Sequence, residues 1–149
     1  MTTNLEDHAI HERHYDQIVN KMKDEPYGRF LGMKLIKLGP GIAAAELTPD
    51  ENMLNAHGTV HGGVIFSLAD YVFAAASNSY GKTAVGVQTS VNFMSAGKPG
   101  ETLLATAEEI KKNHRLGWYN IHVYSNKELI ATMEAMVYRK NHSFVEAED

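Results

Sequence analysis

The chain has 149 residues, the usual size of a single domain with one hydrophobic core. It carries 14 basic and 18 acidic residues, so its net charge is −4, which disfavours nucleic-acid binding because proteins of that class normally present a basic surface. It contains no cysteine, which excludes disulfides, thiolate metal sites and a cysteine nucleophile.

The first third of the chain predicts a helical extension followed by a β-hairpin. Between Leu5 and Lys23 the apolar side chains recur at helical spacing, and Pro26 ends this pattern. Met33–Leu38 and Ile42–Thr48 have the composition of strands, and a Gly-Pro-Gly turn joins them. We therefore assign residues 1–26 to an N-terminal helical extension. The first residues are polar and include no apolar signal core, so we expect a cytoplasmic protein.

A second helix is predicted from Gly62 to about Ser79, and it is apolar on nearly every side. Its most apolar part, Val64 to Ala76, is too short to span a bilayer, and no association with a membrane is expected. A helix that is apolar all round has to be buried all round. We therefore expect this helix at the centre of the domain.

The rest of the chain predicts four strands. Ala84–Met94, Thr102–Lys112, Gly117–Ser125 and Leu129–Tyr138 have strand-like patterns, and the short connections between them predict antiparallel neighbours. Residues 141–149 form an acidic tail that is expected to be loose. These elements predict an α+β fold in which a curved antiparallel sheet wraps around one long helix. Because one such sheet cannot close over the helix alone, we expect a dimer that extends the sheet.

The strongest chemical signal is the loop Asn55-Ala56-His57-Gly58-Thr59-Val60-His61-Gly62-Gly63, which runs into the apolar helix. The first N–H groups of a helix have no partner within it and lie at the positive end of the helix dipole. With glycine at positions 62 and 63, no side chain shields these groups, so a carbonyl oxygen or an oxyanion can approach the main chain. The alternative is that the two glycines only allow close packing of the helix.

Asp70 is the second signal, because it interrupts the apolar helix. A carboxylate at a buried position is costly unless it is paired or used. It either bonds a neighbouring hydroxyl, such as that of Ser67, or serves as an acid, a base or a nucleophile. Gly62 and Asp70 are about 12 Å apart along one helix, whereas a base has to lie about 3 Å from its target. If both act on one carbonyl, they must come from two subunits with antiparallel helices.

Other kinds of site find little support. His57 and His61 have the spacing of some metal ligands, but no third ligand accompanies them. The sequence has no GxSxG nucleophile elbow, no HExxH zinc motif and no phosphate-binding loop. We therefore expect neither a metal nor a redox cofactor.

The run NAHGTVHGGVIFSLAD, residues 55–70, resembles the signature of hotdog-fold acyl-CoA thioesterases of the PaaI (phenylacetate-degradation) type. The later stretches SVNFMSAGKPGETLLATAEEI and KKNHRLGWYNIHVY are similar to strands of that family. The resemblance implies a hotdog thioesterase domain over residues 27–140. It also implies a curved antiparallel sheet around one long helix, and homodimers that pair into tetramers.

The resemblance further implies roles for individual residues. Asp70 is the catalytic base or nucleophile, and the Gly62 N–H donates to the oxyanion. Asn55 orients the attacking water or the thioester, and His61 flanks the thioester carbonyl. Acyl-CoA is bound by Gly63 and by two later stretches, which comprise Phe93, Met94, Ser95, Ala96 and Lys98, and then Lys111, Lys112, Asn113, His114 and Arg115. The cationic members of these stretches suit the phosphates of coenzyme A.

One position departs from the family pattern. Some relatives hold the nucleophilic water with a serine or threonine, and the matching position is near Gly86, which has no hydroxyl. The nearby candidates for that role are Gln88, Thr89 and Ser90. The leading hypothesis is hydrolysis of an acyl-CoA, aromatic or aliphatic, to a free acid and coenzyme A. The alternatives are a hotdog hydratase or dehydratase that uses His57 or His61 with an acid, and a non-catalytic acyl-CoA-binding protein.

Overall fold

The computed structural model describes residues 2–146, which form one six-stranded sheet and three α-helices. In chain order the elements are α1 (Thr2–Lys23), α2 (Pro26–Leu31), β1 (Lys34–Gly39), β2 (Ile42–Leu47), a short 3-10 helix (Glu51–Met53), α3 (Gly62–Ser77), β3 (Lys82–Phe93), β4 (Leu103–Lys112), β5 (Leu116–Ser125) and β6 (Glu128–Ser143). Within the described residues, no helix combines the length and the apolar character that a membrane crossing needs.

The core lies between α3 and the sheet. Leu68 and Val72 of α3 are fully buried, and Ile121 of β5 and Met133 of β6 are almost completely buried. The strands are antiparallel and follow the order β1-β2-β4-β5-β6-β3, and α3 contacts all six of them. The sheet therefore curves around this helix, and the predicted α+β hotdog architecture is confirmed.

β3 lies at the edge of the sheet and not beside β4, so the predicted strand order is wrong at this point. β3 pairs with β6, and β4 pairs with β2 and β5. Residues 94–102 connect β3 to β4. A segment of that length reaches about 30 Å when extended, whereas crossing three strand spacings takes only about 14 Å. The Met94 N–H donates to the Ile130 carbonyl at 2.8 Å, so the connection passes the start of β6.

A bulge in β3 also breaks the strict alternation predicted for this strand. The pairing register with β6 shifts between Gly86 and Gln88, which inserts one extra residue. Gly86 faces α3, because a Cβ there would lie 3.0 Å from the Phe73 ring. Phe93 faces α3 as well, since its ring would lie 3.4 Å from a Cβ at Gly62. Without a bulge, Gly86 and Phe93 would point to opposite faces of the sheet, because they are an odd number of residues apart. The extra residue reverses the alternation between them, so both face α3.

α3 is buried around most of its circumference but not around all of it. Four residues at helical spacing form a less buried stripe, in which Gly63 and Asp70 are exposed and Ser67 and Ala74 are half-buried. The prediction that this helix, and Asp70 with it, is buried on every side is therefore wrong for the single chain. The sheet covers one side of α3, and α2 covers the opposite side only in part.

Two segments, residues 26–31 and 141–146, are more ordered than the sequence predicts. Pro26 begins α2 as well as ending the preceding pattern. At the other end, β6 continues to Ser143, the Phe144 N–H donates to the Gly81 carbonyl at 2.8 Å, and Val145 is buried. Residues 141–143 therefore belong to β6, and Phe144 and Val145 pack against the protein, so this part of the predicted tail is not loose. Residues 147–149 of the predicted tail, and residue 1 of the extension, lie outside the described residues.

Candidate active site

Asn55 organises the loop before α3. Its side-chain oxygen accepts hydrogen bonds from the backbone N–H groups of His57 (2.9 Å) and Thr59 (3.2 Å), and its amide nitrogen donates to the Thr59 hydroxyl (2.9 Å). Gly58 adopts a φ of 78°, which favours glycine at this turn. Asn55 thus uses most of its hydrogen-bonding capacity within the loop, and one amide N–H is left for a ligand. Its role in orienting water or the thioester stays a prediction.

The start of α3 leaves one backbone donor without an acceptor. His61 precedes the helix, and its Nδ1 accepts a hydrogen bond from the Gly63 N–H at 2.8 Å. The N–H groups of Val64 and Ile65 donate to the His61 carbonyl. Across the part of the chain that the structure describes, the Gly62 N–H has no acceptor. This group at the positive end of the helix dipole is therefore available to an oxyanion.

The same contact determines which nitrogen of His61 carries the proton. Because Nδ1 accepts the Gly63 N–H, the neutral imidazole of His61 holds its hydrogen on Nε2. His61 is exposed, so its Nε2–H is a second donor beside the start of α3. This geometry is compatible with the predicted position of His61 next to a thioester carbonyl.

Phe93 and the residues after it pass beside the start of α3. The Phe93 ring would touch a Cβ at Gly62, and the Gly97 carbonyl accepts the Val60 N–H at 2.9 Å. Phe93 and Met94 are each about half exposed, at 53% and 55%. Ser95 is half-buried, and Ala96 and Lys98 are exposed. The structure therefore brings the His-Gly-Gly loop and the first predicted coenzyme A stretch together at one end of α3.

Asp70 lies on the less buried stripe of α3, about two helical turns from Gly62. Both residues belong to the same helix, so the structure keeps them about 12 Å apart within one chain. Ser67 does not pair with Asp70, because its hydroxyl donates to the Gly63 carbonyl at 2.7 Å and contacts the Tyr27 hydroxyl at 2.9 Å. Among residues 2–146, the Asp70 carboxylate has no hydrogen-bond or ion-pair partner.

The environment of Asp70 favours its protonated form. Although the side chain is exposed in the single chain, the packed helices displace part of its water, and this desolvation raises the pKa of Asp70. An unpaired carboxylate whose pKa is raised is well suited to accept a proton. The geometry therefore favours a chemical role for Asp70 over a purely structural one.

Gly86, which matches the position of the water-holding hydroxyl in some relatives, lies against the Phe73 ring. A Cβ there would approach the Phe73 ring to 3.0 Å, and that buried ring packs edge-on against Tyr119 with 5.6 Å between centroids. A serine or threonine there would require the Phe73 ring to move by a small distance, which favours glycine at this position. The three residues proposed to replace the missing hydroxyl are exposed on β3 and stay candidates: Gln88, Thr89 and Ser90.

The second predicted coenzyme A stretch comprises the end of β4, with Lys111 and Lys112, and the turn that leads to β5. The Asn113 side-chain oxygen shapes this turn by accepting the N–H groups of Arg115 (2.9 Å) and Leu116 (2.8 Å). Arg115, Lys111 and His114 are exposed. His114 and Asn113 also line a cleft of about 630 Å³ between this turn and α1. These side chains remain accessible to a charged ligand.

Lys112, the last residue of β4, is more buried than its neighbours in this stretch. Its side chain is only 7% exposed, and its ammonium pairs with Asp7 of α1 at 3.1 Å. Arg139 pairs with the same carboxylate at 3.4 Å. The ion pair with Asp7 therefore fastens α1 to the sheet, and a role of Lys112 in binding coenzyme A stays a prediction.

Within one chain, the two predicted coenzyme A stretches lie far apart. Leu116 pairs with Tyr138 of β6, and Tyr138 pairs with Val85, so the β4–β5 turn is level with Val85. Phe93 lies further along β3, at a distance of about 26 Å for a rise of about 3.3 Å per residue. The structure therefore does not bring these two stretches together in a single chain.

Two side chains near Asp70 were not predicted from the sequence. Tyr27 of α2 contacts Ser67, one turn before Asp70. Glu25 lies close enough for the charge of Asp70 to raise its pKa. The available signal was Pro26, because proline is favoured at the first position of a helix and so marks a second helix at this point.

Comparison with known proteins identifies the family. Residues 57–132 match the thioesterase superfamily. The chain belongs to this superfamily. It is 35% identical over 106 residues to the acyl-coenzyme A thioesterase PaaI of Escherichia coli K12, a match that covers 71% of this chain and 76% of that protein.

Solved structures support the assignment of this chain to the thioesterase superfamily. The PaaI protein from the E. coli phenylacetic acid degradation operon superposes with a TM-score of 0.85 at 29% identity, over 90% of this chain and 98% of that one. A Streptococcus mutans protein bound to acetyl-CoA superposes with a TM-score of 0.70 at 26% identity, over 72% of this chain and 88% of that one. The predicted PaaI-type resemblance and thioester hydrolase activity are confirmed. The roles of individual residues stay predictions.

Proposed function

We propose that this thioesterase hydrolyses an acyl-CoA to a free acid and coenzyme A, with Asp70 as base or nucleophile and the Gly62 N–H as oxyanion donor. The observation that carries the proposal is the Gly62 N–H, which has no acceptor within the described residues and lies at the start of the central helix. The acyl-CoA class is supported by the name of the E. coli relative and by the acetyl-CoA bound to the S. mutans structure.

In this mechanism, the Gly62 N–H donates to the thioester oxygen as negative charge develops there. One such backbone donor is worth about 3 kcal/mol of transition-state stabilisation. Asp70 either attacks the carbonyl carbon to form a mixed anhydride that water then hydrolyses, or it removes a proton from the attacking water. In both routes the C–S bond breaks and coenzyme A leaves as a thiolate, which takes up a proton.

The proposed site needs two chains, because Gly62 and Asp70 are about 12 Å apart on one helix. The edge strand β3 supports a dimer, since Val85 (37%), Val87 (52%) and Phe93 (53%) are exposed along it. A long uncovered edge with apolar side chains is a surface for strand pairing. Antiparallel pairing of two β3 strands also makes the two α3 helices antiparallel. Asp70 of one chain then lies opposite Gly62 of the other.

The same pairing accounts for the two separated coenzyme A stretches. The β4–β5 turn is level with Val85 at one end of β3, whereas the other stretch begins at Phe93 at the opposite end. Antiparallel pairing of β3 sets the Phe93 end of one chain beside the Arg115 turn of the other. We therefore propose a homodimer with two composite sites. A dimer of dimers and the cytoplasmic location stay predictions.

Thiol release from a panel of aromatic and aliphatic acyl-CoAs tests the proposed function. We expect stoichiometric formation of free coenzyme A thiol and free acid, with the best substrate defining the acyl group. Hydration of an enoyl-CoA without thiol release would support the hydratase alternative. Tight binding of several acyl-CoAs without turnover would support the binding-protein alternative, and either result would contradict hydrolysis.

A further inference from the structure

The N-terminal segment contacts α3 on both sides of Asp70 along the chain. The Tyr27 hydroxyl lies 2.9 Å from the Ser67 hydroxyl, one turn before Asp70. The Tyr71 hydroxyl donates to the Met22 carbonyl at 3.1 Å and so joins the end of α1 to the residue after Asp70. Glu25 lies between these two contacts, in the link from α1 to α2.

Gly28 allows Glu25 to lie against α3. A Cβ at Gly28 would be 2.9 Å from a carboxylate oxygen of Glu25 and 2.9 Å from the Tyr71 ring, so both groups border the same small space. Glu25 also lines a groove of about 940 Å³ together with Ala74, which lies one turn beyond Asp70 on the less buried stripe. The Glu25 carboxyl group therefore lies beside Tyr71, the residue that follows Asp70 on α3.

We propose that Glu25 is a positioning residue of the Asp70 site, whose negative charge favours the loss of charge at Asp70 during hydrolysis without contact to the substrate. The inference rests on the proposed function, in which Asp70 is the base or the nucleophile. Asp70 loses its charge during either route, because it becomes a carboxylic acid or part of a mixed anhydride before it is regenerated. A nearby negative charge destabilises the ionised Asp70 and therefore assists both routes.

The electrostatics of the pair agree with this geometry. Desolvation is the main cause that raises the pKa of Glu25, the charge of Asp70 raises it further, and the Gly28 backbone N–H partly offsets both. Coupling between two titrating groups acts on both of them, so the charge of Glu25 also favours protonated Asp70. Desolvation raises the pKa of Asp70 in the same direction.

Other titratable groups also lie near Glu25. Burial, followed by the charge of Glu25, raises the pKa of Tyr71 to about 12, so this phenol is neutral in the working range. The remaining groups are Tyr27 and Arg29 on α2, and Lys21, Asp24 and Glu146, which line the groove. Lys21 donates to the Phe144 carbonyl and stacks on the Phe144 ring, which directs its charge toward the C-terminal segment.

The test compares Glu25→Gln with Asp24→Asn, which removes a charge from the exposed neighbouring residue. Aspartate carboxyl groups are labelled with ¹³C, the Asp70 signal is identified by its loss in Asp70→Asn, and its titration is followed by NMR. We expect Asp70 to titrate in two steps in the wild type and in Asp24→Asn. In Glu25→Gln we expect one step with a lower midpoint. Glu25→Asp keeps the charge and should retain two steps.

Kinetics with an acyl-CoA provide the functional readout. In Glu25→Gln we expect kcat near neutral pH to fall roughly two- to fivefold with KM nearly unchanged, because only the basicity of Asp70 changes. The acidic limb of the pH profile should move to lower pH. A single-step titration of Asp70 in the wild type, or an identical titration in Glu25→Gln, would overturn the proposal. If the titration changes as expected but Asp70→Asn still hydrolyses normally, the proposed function fails instead.

Discussion

At the scale of single residues, the candidate site depends on two groups that lack partners in the described chain. The Gly62 N–H has no acceptor, because His61 bonds the next N–H and not this one. The Asp70 carboxylate has no donor, because Ser67 is engaged with Gly63 and Tyr27. An unpaired donor and an unpaired acceptor on the accessible part of one helix are both available to a ligand.

Replacement of Asp70 by asparagine separates catalysis from folding. The amide has nearly the same shape and removes only charge and basicity, so we expect kcat to fall by at least about 10²-fold. Because the pKa of Asp70 is raised in the folded state, its ionisation destabilises the protein as the pH rises through that value. Asp70→Asn should therefore melt at the same or a higher temperature than the wild type at neutral pH, and this difference should disappear in acid. Near-normal turnover would make Asp70 a structural residue.

Arg115 is expected to act on substrate binding alone. It is exposed on the β4–β5 turn, so Arg115→Ala should raise KM for a full-length acyl-CoA and leave kcat almost unchanged. The effect should shrink as salt is added, because exposed charges are screened. Lys37→Ala removes an exposed cation from β1 and is the matched control. An unchanged KM in Arg115→Ala would exclude this residue from the coenzyme A site.

At the scale of elements, α1 is fastened to the sheet by the Asp7 carboxylate between Lys112 and Arg139. Both ion pairs are largely buried, with the three side chains between 6% and 12% exposed. A buried ion pair adds little net stability, but removal of one member leaves charge in a poorly solvated place. The contact therefore holds the N-terminal extension in one position, and the extension in turn supports α2 beside Asp70.

Asp7→Asn tests this attachment. We expect the free energy of unfolding to fall by about 3 kcal/mol, because two buried cations lose their shared counter-ion. Urea denaturation measures the change, and Glu6→Gln, which alters an exposed neighbour, is the control. The same loss in Glu6→Gln, or no loss in Asp7→Asn, would show that the ion pairs do not hold α1.

The elements also show which features the sequence could predict. The loop from Asn55 to Gly63 was recognised because its chemistry is local, and the structure brings it to the start of α3 as expected. The bulge at Gly86 and the edge position of β3 depend on pairing with β6, which no local pattern encodes. The approach of Glu25 to Asp70 likewise depends on how α2 docks onto α3. Local chemistry was therefore predictable, whereas long-range contacts were not.

At the scale of the whole molecule, the arrangement of α3 makes each proposed site depend on two chains. An Asp70→Asn protein and a variant without the Gly62 N–H both have two defective sites per homodimer. In a mixed dimer, one site combines the intact Gly62 of the first chain with the intact Asp70 of the second, and the other site collects both defects. Activity restored by subunit exchange is therefore a direct test of the composite site.

Gly62→Pro is the appropriate partner variant, because the structure tolerates proline at this position. Gly62 is the first residue of α3, where proline is favoured and where the lost N–H bonds no residue between 2 and 146. His61 has φ −59° and ψ 133°, a conformation that suits the residue before proline. A Cβ at Gly62 would make ordinary contact with Phe93 at 3.4 Å. Gly62→Ala adds that same Cβ but keeps the N–H, so it is the matched control and should stay active.

The Gly62→Pro and Asp70→Asn proteins are combined and allowed to exchange subunits until half of the dimers contain one chain of each. We then expect at most about a quarter of wild-type activity, because one site in two is intact in half of the dimers. Each parent alone should show almost none. Thiol release before and after exchange measures the recovery, and native mass spectrometry of a size-tagged pair measures the fraction of mixed dimers. If both variants fold and exchange but no activity returns, Gly62 and Asp70 do not meet across the interface. The two-chain mechanism would then be wrong even if the protein hydrolyses acyl-CoA. Because the two groups are about 12 Å apart on one helix, a single chain could not replace it, and at least one of the two groups would not be catalytic.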